Sequence, residues 1–133
     1  MVDTENYDED GNWELTNLEI NKVKATDCTF QNGLMIGSDS EFTNCSFTEP
    51  KSNQYAVWVL GGDVTFTDCK FQGARGLKVH NQYHDYQNGY TGTISVDNCK
   101  FFIENKPGVC FGTLQSSANV SIMNSLFVCA AGD

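Results

Sequence analysis

Trp58, Arg75, Lys78 and His80 stand close together in this 133-residue chain and lead into its longest polar run. That run reads His80-Asn81-Gln82-Tyr83-His84-Asp85-Tyr86-Gln87-Asn88-Gly89-Tyr90 and contains both histidines. Flat aromatic rings stack on sugar faces, while amides and carboxylates pair with hydroxyls. The set Trp58, Arg75, Lys78, His80, Tyr83, His84, Asp85 and Tyr86 is therefore a candidate polysaccharide- or glycan-binding surface. A long loop on a rigid scaffold is a common carrier of function. Two other readings of the same residues stay open. The loop could fold over Trp58 and make a local aromatic cluster, or the face could meet a second copy of the chain.

Carboxylates supply less. A shared metal or an acid–base pair needs acidic groups close together. Near the candidate face there are only Asp63 and Asp85, far apart in sequence, and nothing fixes Arg75, His84 and Asp85 into one geometry. Asp8-Glu9-Asp10-Gly11-Asn12 resembles part of a calcium loop but lacks the full ligand spacing, so an acidic tail is expected. Six cysteines come without a Cys-x-x-Cys pair or a matching histidine set, so no zinc site is expected. No catalytic residue, metal or cofactor is assigned.

The elements that must position these residues are announced by a repeated phrase. It reads Asp27-Cys28-Thr29-Phe30, Asn44-Cys45-Ser46-Phe47, Asp68-Cys69-Lys70-Phe71 and Asn98-Cys99-Lys100-Phe101, with an echo at Asn124-Ser125-Leu126-Phe127. Before each phrase lies an alternating stretch such as Val64-Thr65-Phe66 or Ile94-Ser95-Val96. After it come a turn and a second short strand: Gly33–Ile36, Ala56–Val59, Gly76–Val79 and Gly108–Phe111. Period-2 alternation in short runs bounded by Gly predicts strands. Constant strands with variable loops predict a solenoid, about three strands to a coil and about five coils in all.

These stretches, above all Val64 to Phe71 with Gly76 to Val79, resemble the right-handed parallel β-helix repeats of the pectate lyase-like superfamily. The resemblance covers about residues 14–129. It implies an all-β, single-stranded parallel β-helix and a secreted or cell-surface setting of bacterial type. Lyases and hydrolases of that group act on polysaccharides with clustered carboxylates. The expectation here is a non-catalytic module of a surface protein, with a divergent lyase or hydrolase, or a purely structural solenoid, as alternatives. Residues 1–13 are expected to form an acidic tail or cap and residues 14–133 the β-helix domain.

Within the phrase each position has a physical task. Asx tolerates the left-handed backbone of a tight bend better than other non-glycine residues. In successive coils Asp27, Asn44, Asp68, Asn98 and Asn124 would stack about 4.8 Å apart. No two Asp are neighbours in that order, so each can accept from an Asn amide in a ladder. Cys28, Cys45, Cys69 and Cys99 alternate with Phe and are expected to point inward as reduced packing residues, since Ser125 fills the same place without a thiol. Outward residues of the second strands form a row of Met35, Trp58, Lys78 and Cys110, with Trp58 expected to be exposed.

Charge and hydropathy narrow the partners. A net charge of −9 repels a phosphate backbone, so nucleic acid is not an expected partner. No run of 18 apolar residues exists, so no membrane span is expected, and residues 1–12 do not read as a signal peptide. Open solenoid ends invite self-association.

Overall fold

The computed structural model describes residues 2–3, 19–50, 54–80, 89–104, 108–112, 114 and 117–129. Strands numbered along the chain fall into three parallel sheets. Sheet A contains β1 (Val2–Asp3), β4 (Thr29–Gln31), β7 (Ser46–Glu49), β10 (Lys70–Gly73), β13 (Lys100–Ile103) and β16 (Leu126–Cys129). Sheet B contains β2 (Glu19–Ile20), β5 (Leu34–Ile36), β8 (Tyr55–Val59), β11 (Arg75–Val79) and β14 (Val109–Phe111). Sheet C contains β3 (Lys24–Thr26), β6 (Ser40–Thr43), β9 (Val64–Thr67), β12 (Thr93–Asp97) and β15 (Asn119–Met123). Each strand pairs with the one three places further along the chain, which is the signature of a parallel β-helix. Strands β2 to β16 make five three-stranded coils. Of the N-terminal segment only Val2–Asp3 is described before Glu19, and it pairs with Phe30 and Gln31 of β4.

The repeated phrase sits at the bend between sheets C and A. Asp27, Asn44, Asp68, Asn98 and Asn124 all have φ between 51° and 58°. The backbone N–H groups of Asp27, Asn44, Asp68 and Asn98 keep the coil-to-coil ladder running through the bend, as in Asn44 N–H to the Thr67 carbonyl at 2.9 Å. Each following thiol donates to the carbonyl two residues back, at 3.3–3.4 Å, and Ser125 makes the same bond at 2.9 Å. That shared bond explains why Ser replaces Cys without cost to the bend. All six cysteines are free. Burial pushes the Cys45 thiol pKa up. Hydrogen bonding to Cys99, together with burial, pushes that of Cys69 up.

The Asx side chains form pairs and not one continuous ladder. Asn44 Nδ2 donates to Asp27 Oδ1 at 2.7 Å, and Asn98 Nδ2 donates to Asp68 Oδ1 at 2.7 Å. Asn124 turns aside and donates to Asp97 Oδ1 at 3.0 Å. An ionised carboxylate is a stronger acceptor than an amide oxygen, so Asp97 wins over the Asn98 side chain. Asn98→Asp would place a second carboxylate at hydrogen-bond distance from Asp68. We expect a loss of about 1–2 kcal/mol at neutral pH, more than for Asn98→Ser, with recovery once the carboxyls are protonated. Thermal midpoints of both variants at neutral and acid pH test this; equal midpoints at neutral pH would count against the pair.

Phenylalanine builds the core. Phe30, Phe47, Phe71, Phe101 and Phe127 stack along sheet A with centroids 5.3, 5.1, 4.5 and 4.5 Å apart. A second stack, Phe42 on Phe66 at 5.4 Å, meets the first edge-on at 5.2–5.7 Å. Leu34, Ile36, Val57, Val59, Leu77 and Val79 fill the sheet B side of the same core.

Candidate functional site

The outer face of sheet B carries the cationic and aromatic residues singled out by sequence. Strand register aligns Met35, Trp58, Lys78 and Cys110 across β5, β8, β11 and β14, and pairs Arg75 with Tyr55. The row exists, but Trp58 is not an exposed platform. It is 8% exposed, and with Met35 at 1% and Leu60 it makes a small second apolar cluster. Its indole N–H donates to the His80 carbonyl at 3.1 Å. The ring is already occupied: Lys78 Nζ lies 4.1 Å from its centroid and 5.7 Å from that of Tyr55. Arg75 Cζ lies 5.4 Å from the Tyr55 ring. Pointing outward from a strand fixes which side a residue takes, and here that side is covered.

Burial lowers the pKa of Lys78, and burial with the Lys78 charge lowers that of His80. Burial and the Cys110 side chain push the Tyr55 hydroxyl up to about 12. These shifts describe a half-desolvated cation held by aromatic faces, an arrangement worth about 1–2 kcal/mol to the fold. Of the remaining candidates, Tyr83, His84, Asp85 and Tyr86 lie outside the described residues. Just beyond them Tyr90 is fully buried, and its hydroxyl donates to the Gly62 carbonyl. Asp63, the other acidic candidate, accepts the Thr93 backbone N–H at 2.8 Å and so shapes a turn. Among the described residues no group of three His, Cys, Asp or Glu side chains is placed to hold a metal ion.

A second feature was not read from the sequence. Along the outer face of sheet A runs a groove of about 590 Å³. Its floor is one register-matched row, Gln31, Thr48, Gln72, Phe102 and Val128, contributed by β4, β7, β10, β13 and β16. Four steps of about 4.8 Å make this row about 19 Å long. One wall carries Asn32, Glu49 and Glu104. Lys70 Nζ lies 5.1 Å from the Phe102 ring and fixes it from the neighbouring row. The row is always the residue after the phrase's Phe, so a sequence signal existed. Inward Phe at one position dictates that the next side chain points out. The volume is in the range of small-ligand sites, and the opening runs across the strands. Amides and a hydroxyl in line with an aromatic ring can bind an extended polar chain, hydrogen-bonding its hydroxyls and stacking on one unit.

A family model described as Right handed beta helix region matches residues 6–133 of this chain. The search of curated proteins finds no match.

Proposed function

Because the chain belongs to the right-handed β-helix family, we propose that it is a non-catalytic β-helix module of a secreted or surface protein that binds an extended glycan along the sheet A groove. One observation carries this reading: the aligned floor of Gln31, Thr48, Gln72 and Phe102 in an open groove. Such a row offers repeated donors and acceptors at a fixed spacing, which suits a polymer of repeated polar units. Charge favours a neutral glycan. The chain carries −9, and the exposed Glu104 lines the groove, so an acidic polysaccharide would meet like charge.

Affinity electrophoresis against a panel of neutral and acidic polysaccharides tests the proposal. We expect retardation by a neutral polymer, weakened about five-fold or more by Gln72→Ala and by Phe102→Ala, as loss of one hydrogen bond or one stacking contact implies. Trp58→Ala should change binding only through stability, because Lys78 already covers the ring. Binding to no polysaccharide, or undiminished binding by both groove variants, would refute it.

A further inference from the structure

The row Gln31, Thr48, Gln72 and Phe102 is straight, and the backbone fixes its spacing. Consecutive members are register partners in neighbouring strands, from β4 to β7 to β10 to β13. Each step is one strand spacing, about 4.8 Å, so three steps span about 14 Å. The inward rings one residue earlier on the same strands show how little the coils rotate. Phe30 and Phe47 lie at 12° to each other, Phe47 and Phe71 at 22°, and Phe71 and Phe101 at 3°. An outward row built on the same backbones neither fans nor curls. Gln31, Thr48 and Gln72 supply polar groups to three rungs of the groove, and Phe102 supplies an aromatic ring to the fourth.

We infer, resting on the glycan reading of this groove, that its ligand belongs to one linkage class: a neutral β-1,4-linked chain of pyranose rings joined through equatorial bonds. It lies parallel to the solenoid axis with one ring on each coil. Equatorial bonds at C1 and C4 leave a ring on opposite sides, so such a chain extends as a straight ribbon. It advances by close to one strand spacing per ring, and the flexible Gln31 and Gln72 side chains take up the small difference. An α-1,4-linked chain of the same sugar leaves C1 axially and curls away from a straight row, and a β-1,3-linked chain curls as well. Phe102 anchors one ring by stacking on its C–H face. The following rings meet Gln72, then Thr48, then Gln31, whose amides and hydroxyl pair with sugar hydroxyls. Recognition grows rung by rung, and four rings fill the row.

Isothermal titration of the whole chain with oligosaccharides of two to six rings tests this. The probes are β-1,4-linked gluco-, xylo- and manno-oligosaccharides, with α-1,4-linked malto-oligosaccharides as the curved comparison. In at least one β-1,4 series we expect affinity to climb about five-fold per ring, the worth of one added hydrogen bond, and to level off at four rings. Its tetrasaccharide should bind at least ten-fold tighter than maltotetraose. Phe102→Ala should weaken every length of that series. Thr48→Ala keeps the backbone bond from Gly33 N–H to the Thr48 carbonyl and should abolish the gain from two rings to three. Malto-oligosaccharides bound as tightly as the β-1,4 series, or an affinity independent of length, would overturn the inference and leave the groove reading standing. Retardation in affinity gels by α-linked or β-1,3-linked polymers alone would do the same. Binding to no glycan at all would overturn both.

Discussion

Phe71→Ala should destabilise the chain by about 3–5 kcal/mol, a large part of what a domain of this size has to lose. Phe71 is fully buried and touches rings on three sides: Phe47 at 5.1 Å, Phe66 at 5.2 Å and Phe101 at 4.5 Å. Truncation removes the transfer energy of the ring and leaves a cavity. Stacked backbones at fixed spacing cannot close that cavity without breaking the sheet ladders on either side. Phe127→Ala is the matched comparison. It deletes the same ring from the same stack, but Phe127 is 45% exposed, so less apolar area is returned to water and no closed cavity remains. Its cost should be under half that of Phe71→Ala. Urea unfolding of both variants measures the difference. Equal losses would mean that the middle and the end of the stack are not packed as described.

The contrast between those two positions shows what a repeat tells and what it conceals. Asx-Cys-x-Phe determines a bend, an inward thiol and an inward ring wherever it occurs, because αL tolerance and period-2 alternation are local properties. From it the three-sheet coil and its five turns were readable. Phe42 and Phe66 were harder to place in the core, since they occur in only two of the alternating stretches that precede the phrase. The Asx hydrogen bonds were harder still. Asn124 had a choice between Asn98 below it and Asp97 beside it, and only the placed side chains settle such a competition.

Trp58 illustrates a different limit. Alternation correctly assigns it to the outside of β8, and register correctly aligns it with Met35 and Lys78. Whether an outward ring meets solvent depends on what lies over the sheet, which no local pattern encodes. The groove was missed for the opposite reason. Searching for a repeat rewards identity between coils, whereas the row Gln31, Thr48, Gln72, Phe102 and Val128 holds four residue types in five coils while keeping one orientation. A conserved frame with a varied outward row is how a solenoid separates folding from recognition.

Gly73 is where that separation fails, and giving it a side chain should damage both. It ends β10 at φ 156°, between Glu49 and Ile103 in register. A Cβ there would lie 2.5 Å from the Glu49 carbonyl oxygen, a backbone atom that cannot swing aside. The Gly73 carbonyl accepts the Glu104 N–H at 3.1 Å, so a shift of either strand strains the next coil as well. Gly73→Ala should therefore cost about 2–4 kcal/mol through overpacking and backbone strain. Because Thr48 and Gln72 are the immediate neighbours of Glu49 and Gly73, the displaced strands also carry the groove floor out of line. Glycan retardation should fall with the thermal midpoint in this variant. Gln72→Ala provides the reference: an exposed substitution expected to change stability by no more than about 0.5 kcal/mol while weakening binding. If Gly73→Ala kept the wild-type midpoint, β7 and β10 would not approach as closely as the fold requires. If it lost stability but bound as before, the groove floor would not be the recognition surface.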